Sequence, residues 1–137
     1  MIRPLMRMTF FLRQPSEPAG PEDLAVAQDL ADTLEAHRAT CAGMAANMIG
    51  QHKRIIAVMD DRGTVLTMLN PQLIWGKEPY ETVEGCLSLE GTRATSRYRR
   101  IKVSWEDTSF GAHSHVFTGP VAQAIQHEID HCDGILI

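Results

Sequence analysis

The residues whose types and spacing most clearly point to chemistry are His127-Glu128-Ile129-Asp130-His131, an H-E-x-x-H pattern. Two histidines four positions apart on a helix project from one face, about one turn apart, so both imidazoles reach a single metal ion. Glu128 leaves such a helix about 100° from His127, near the open coordination position, where a carboxylate acts as general base. The bland alternative is a solvated helix with two surface histidines. The apolar run Val121-Ala122-Gln123-Ala124-Ile125 just before the pattern argues for burial instead.

A hydrolytic site of this kind needs a third protein ligand. After His131 there follow only Cys132, Asp133, Gly134, Ile135, Leu136 and Ile137. No downstream glutamate is available, and Ile137 stands where a metzincin would place its third histidine. Cys132 points about 100° off the ligand face. The third ligand is therefore expected upstream, where His37, His52, His113, His115, many carboxylates and the thiols are candidates. Cys86 stands out for its setting, Glu84-Gly85-Cys86-Leu87-Ser88. Its glycine lets the backbone turn tightly against a site, and the amide after a bound thiolate is well placed to donate. A lone cysteine is more often a small buried hydrophobe, so spacing alone leaves the choice open.

The elements that must position these groups follow from periodicity. Gly119-Pro120 opens a helix running through about Cys132. Upstream, three prolines and a glycine in Gln14 to Pro21 mark a loop, and Pro21, Glu22 and Asp23 suit a first helical turn. Leu24, Ala27, Leu30, Ala31 and Leu34 form the stripe of an amphipathic helix reaching about Arg38. Between the helices, Arg54–Met59 and Thr64–Leu69 read as strands joined by the turn Asp60-Asp61-Arg62-Gly63. Asn70-Pro71 is expected to break the second strand, with Gln72 to Trp75 resuming it. Ile101, Val103 and Trp105 alternate as a half-buried strand, and Ser114 to Thr118 pair back. The class is α+β: antiparallel sheet packed around a central C-terminal helix that carries the metal motif, with an N-terminal amphipathic helix.

Three segments together, Gly43-Met44-Ala45-Ala46, Glu84-Gly85-Cys86-Leu87-Ser88 and Gln126-His127-Glu128-Ile129-Asp130-His131, resemble the ordered motifs of the peptide deformylase family. The resemblance covers most of the chain and implies one catalytic domain over residues 1–137. It implies that Cys86, His127 and His131 bind one divalent ion, with solvent in the fourth place. Iron(II) would be the native metal, readily replaced by zinc or nickel. Glu128 would move the proton, and the backbone N–H of Leu87 would hold the carbonyl oxygen as it gains charge. Gly43, Met44, Met48, Gly85, Arg93, Gln123 and Ala124 would contact substrate. The reaction implied is hydrolysis of the formyl group from N-formyl-methionyl peptides of nascent proteins, with the ribosome as a further partner. Asp130 is expected to pair with Arg93 or Arg97 rather than bind metal.

The chain departs from the family pattern in ways that bear on activity. Cys41 stands at a usual glycine, and Met48 at a glutamine expected to donate to the oxyanion; losing one such donor typically costs about 2.7–4 kcal/mol. Neighbouring Asn47 would point the other way in an extended segment. Gln123 polarises a pocket wall that is usually apolar. The C-terminal helix of many bacterial members is lacking, which is expected to expose part of the core edge or alter substrate access. Two alternatives therefore stand beside an active deformylase: a divergent metal amidase with another N-acyl substrate, and a weakly active or inactive paralogue that binds nascent chains. Retention of Glu128 weighs against the second.

Composition narrows the setting. A chain of 137 residues, 44 % hydrophobic and 22 % charged, has an ordinary globular balance. The net charge of −4 and the isolation of Arg97, Arg99 and Arg100 argue against nucleic acid. That arginine cluster reads as a solvated turn before a strand. Three cysteines without a secretory signal favour a reducing compartment, with the cytoplasm as default. The apolar run Met8 to Leu12 is too short to span a bilayer.

Overall fold

The computed structural model describes residues 1–137. Its helices are α1 (Thr9–Leu12), α2 (Leu24–Ala36) and α3 (Gly119–Cys132). Its strands are β1 (Gly43–Ala45), β2 (Ile55–Met59), β3 (Val65–Cys86), β4 (Leu89–Glu106) and β5 (Ala112–Thr118). The strands form one antiparallel sheet in the order β1-β2-β3-β4-β5, each paired with its sequence neighbour. This is the expected α+β class.

The period of two in β2 explains how the sheet holds a helix on each side. Ile55 and Ala57 join a buried cluster with Leu30 and Leu34 of α2, together with Met44, Met48 and Leu69. Ile56 and Val58, pointing the other way, join Val121, Ala122, Ile125 and Ile129 of α3, with Met68, Ile101 and Val103. Helix α3 is thus wedged against the sheet by its apolar side. No helix is long and apolar enough to cross a membrane.

Several local expectations are corrected. Asn70-Pro71 does not break β3 but forms a bulge in it, between Leu69 and Gln72. Asn70 has φ 52°, a conformation asparagine tolerates better than most residues. Its side chain accepts from the Ala19 N–H at 2.7 Å and donates to the Ala19 carbonyl at 3.0 Å and to Glu106 at 2.8 Å. The predicted first helix divides into a 3-10 turn, Pro21–Asp23, and α2. Its stripe narrows to Ala27, Leu30 and Leu34, and Leu24 is exposed. The short α1 was not anticipated; it places Leu12 in a fully buried position.

The arginine cluster is the largest correction. All three residues lie inside β4 rather than in a turn. Arg99 lies over the Tyr80 ring and Arg100 over Trp75. Arg97 is buried against α3, where it makes ion pairs.

Candidate active site

The antiparallel hairpin of β3 and β4 turns at Cys86–Leu89, and α3 packs beside it. This brings Cys86 Sγ and one ring nitrogen each of His127 and His131 within 4.8 Å of one another. The other histidines are engaged elsewhere. His37 Nδ1 meets the Thr33 carbonyl, His52 stacks on Phe11, His113 pairs with Asp107, and His115 packs on Phe117. Among the candidate third ligands, geometry brings Cys86 to the imidazoles.

The orientation of His127 is set by a carboxylate whose part was not read from the sequence. Glu84 Oε1 lies 2.8 Å from His127 Nδ1. Arg97 grips the same carboxylate with Nη2 at 2.7 Å and Nε at 3.0 Å. Burial alone would raise the Glu84 pKa; hydrogen bonds from His127, Arg97 and Gln123 outweigh it and hold Glu84 at about 2. An ionised carboxylate only accepts, so Nδ1 of His127 carries a hydrogen and Nε2 faces the site. Arg97 also reaches Asp130 at 2.6 Å. Of the two partners expected for Asp130, Arg97 is found. Arg93 instead sits opposite Glu84 in the strand pairing and donates to the Glu90 carbonyl at 3.2 Å.

The residues fit a bound ion. The two Nε2 atoms are 3.0 Å apart, close to the roughly 3.3 Å separation of nitrogens ~2.0 Å from a tetrahedral metal. Without an ion the pair is electrostatically divided. Burial lowers both imidazoles, but hydrogen bonds to Cys86 and Glu84 push His127 up to about 10. His131, enclosed beside that cation, falls to about 3. The two facing nitrogens, with the Cys86 sulfur beside them, form a donor set suited to a cation.

Glu128 is buried next to this group, and its Oε1 has no hydrogen-bond partner. Burial raises its pKa to about 7, a value suited to taking and returning a proton near neutrality. Gly43 makes room for it. A Cβ at that position would lie 3.0 Å from Glu128 Oε2 and 3.1 Å from its Cγ. Any larger residue at this position of the first motif would crowd the Glu128 side chain.

A cleft of about 580 Å³ opens over these groups. Gly43, Met48, Gly85, Leu87, Gln123 and Ala124 line it along with Cys86, His127 and Glu128. Two expected substrate contacts are not on this wall. The Met44 side chain is fully buried in the core on the α2 side, because strand alternation turns it away from its neighbour Gly43. Arg93 does not line the cleft; its guanidinium is turned instead to the Glu90 carbonyl.

Met48 brings no donor to the cleft. Its sulfur takes the Ala45 N–H at 3.5 Å. Asn47 cannot replace the missing amide, though not because the segment is extended: Ala46–Ile49 is a 3-10 turn. Its Nδ2 donates to the His131 carbonyl at 3.0 Å and so ties this turn to the end of α3. Cys41 lines the cleft with its thiol donating to the Gly43 carbonyl at 2.8 Å, and burial pushes that thiol up to about 11. Cys132 is buried in the α3-side core and pushed up to about 12.

A thiol, two imidazoles and a buried carboxylate at the head of a cleft are the parts of a metal-dependent hydrolase. Comparison with known proteins agrees. The family described as polypeptide deformylase matches residues 7–137, and the chain belongs to that family. A peptide deformylase of Clostridium beijerinckii is 47% identical over 137 residues, covering 100% of both chains. A solved peptide deformylase of Legionella pneumophila superposes with TM-score 0.88 at 28% identity, over 99% of this chain and 83% of that one. The Met-Ala-Ser-bound class I type b enzyme of Acinetobacter baumannii gives TM-score 0.88 at 24% identity, over 99% and 97%, a likeness of fold.

Proposed function

We propose that residues 1–137 act as one catalytic unit that hydrolyses the formyl amide of N-formyl-methionyl peptides on nascent proteins, releasing formate. The family is one of metal-dependent hydrolases acting on this amide. The observation that carries the reading is the convergence of Cys86, His127 and His131 beside the unpartnered Glu128.

In this reading Cys86, His127 and His131 would hold one divalent ion, and the chemistry it would supply when bound is Lewis acidity. Glu128 takes a proton from the attacking water and gives it to the amine that leaves. The Leu87 N–H donates to the formyl oxygen as it gains negative charge. Gly43 and Gly85 let the peptide backbone approach, while Met48, Gln123 and Ala124 receive the methionine side chain. Met44 and Arg93 support the site from outside the cleft wall. Burial of Glu128 keeps its proton transferable, and the Glu84–Arg97 pair keeps His127 oriented.

Iron(II) is the ion assigned here, although thiolate and imidazole also suit zinc. Metal analysis of protein purified without oxygen tests that choice. The free thiols fit a reducing compartment, and so the cytoplasm. Association with ribosomes is tested by co-sedimentation.

The main test is formate release from formyl-Met-Ala-Ser by protein reconstituted anaerobically with iron or nickel. Glu128→Ala is expected to abolish release. Met48→Gln restores a side-chain donor beside the carbonyl and is expected to raise turnover, by up to ~10²–10³-fold if the full oxyanion contact returns. Unchanged rates in both variants would refute the mechanism.

A further inference from the structure

The Glu84 carboxylate uses both oxygens, and one of its partners comes from the cleft wall. Oε1 meets His127 Nδ1 at 2.8 Å and Arg97 Nη2 at 2.7 Å. Oε2 accepts from Arg97 Nε at 3.0 Å and from Gln123 Nε2 at 2.8 Å. Gln123 stands one helical turn before His127, so its amide and that imidazole lie on the same side of α3 and reach the same carboxylate. Arg97 is buried, whereas Gln123 is half-buried and lines the cleft. Water or a substrate group entering the cleft competes for the lone pair that Gln123 occupies.

We propose that Gln123 is a positioning residue: its amide fixes the Glu84 carboxylate, and through it the His127 imidazole, so that one wall of the substrate cleft is coupled to the strength of the metal site. The proposal rests on Cys86, His127 and His131 being the ligands. It gives the polar residue in an otherwise apolar stretch a purpose distinct from contacting the substrate side chain. A glutamine here donates to an ionised acceptor, the stronger kind of hydrogen bond.

Three substitutions separate the donor from the bulk of the side chain. Gln123→Met keeps the length and removes the donor, Gln123→Lys keeps a donor, and Gln123→Glu sets an acceptor against Glu84. Zinc affinity is measured by chelator competition, and the ligand field by the absorption spectrum of the cobalt-loaded protein. Gln123→Met is expected to weaken zinc binding roughly 3–10-fold, less than the ~10–100-fold typical of groups bonded directly to a ligand. Gln123→Glu is expected to weaken it further and Gln123→Lys to stay near the unaltered protein. The cobalt spectrum should shift in the Met and Glu variants and stay close to the parent's in the Lys variant. Equal affinity and superposable spectra for Gln123→Met would overturn the proposal. So would equal losses in the Met and Lys variants, which would mean that packing matters and the donor does not. Cys86→Ser, measured alongside, distinguishes the underlying reading: if it leaves zinc binding intact, the ligand assignment fails and this proposal fails with it.

Discussion

Helices α2 and α3 pack on opposite faces of the same strands but bury different chemistry. On its inner side α2 buries Ala27, Leu30, Thr33 and Leu34. Its one buried hydroxyl is satisfied twice, by the Asp29 carbonyl at 2.7 Å and the Arg3 N–H at 2.9 Å. Helix α3 buries Gln126, His127, Glu128 and His131 along with its apolar residues. Gln126 is satisfied, accepting from the Tyr98 N–H and donating to the Tyr98 carbonyl. Two atoms on α3 are not: Glu128 Oε1 and His131 Nδ1. Unpaired buried polar groups cost stability, so α3 gives up stability at the point where its chemistry lies, and the apolar α2 face carries no such cost.

The comparison can be broken from either side. The largest expected effect is on turnover: Glu128→Gln should lower formate release by ~10²–10⁴-fold, the usual contribution of a general acid–base. The same variant should not lower stability. With a Glu128 pKa near 7 against an ordinary 4.5, the folded state binds the proton more tightly. That stability is present below pH 4.5 and lost as pH rises through 7. In the metal-free protein Glu128→Gln should therefore melt higher than the parent at pH 8. A lower midpoint would contradict the assignment.

Next in size is Arg97→Met, which leaves Glu84 and Asp130 without their buried cation. It should destabilise by about 3–5 kcal/mol in denaturant unfolding, as removal of one partner from a buried ion pair does. Metal affinity should fall with it. Leu34→Ala on the other face should cost about 2–5 kcal/mol through a cavity, yet leave zinc affinity per folded molecule unchanged. A change in affinity there would show that the two faces are not independent.

The smallest effect concerns acid. Glu84 is held at about 2, below the ordinary 4.5, so its stabilisation is present above pH 4.5 and lost as pH falls toward 2. Glu84→Gln should flatten the thermal midpoint of chelator-treated protein across that window. A slope equal to the parent's would place the acid response elsewhere.

How much was legible in the sequence follows the range of each interaction. His127, His131 and Glu128 were readable because a helix fixes their relation within four positions. Cys86 was one candidate among several until the three motifs were taken together, since no local rule links it to residues 41 and 45 positions on. Glu84 lay within a quoted motif without a role, because its partners His127 and Arg97 come from other elements. Arg97 carried a usable signal that was missed: in a strand, positions 97, 101 and 103 share a face, and Ile101 and Val103 were already assigned inward. Asn70 was read as a breaker because Asn-Pro disfavours a central strand, whereas its side chain ties the bulge to Ala19 and Glu106. Asn47 was placed by assuming an extended chain, which the 3-10 turn does not provide.

The pairing of every strand with its successor has a kinetic consequence. Such a meander zips through short connections, which favours rapid folding. Docking of α3 against β1, β2 and the turn between them instead joins segments about 60 to 90 positions apart, as the Asn47–His131 bond, across 84 positions, illustrates. During refolding from denaturant, strand circular dichroism should thus recover ahead of protection of the Cys86 thiol from alkylation in the presence of zinc.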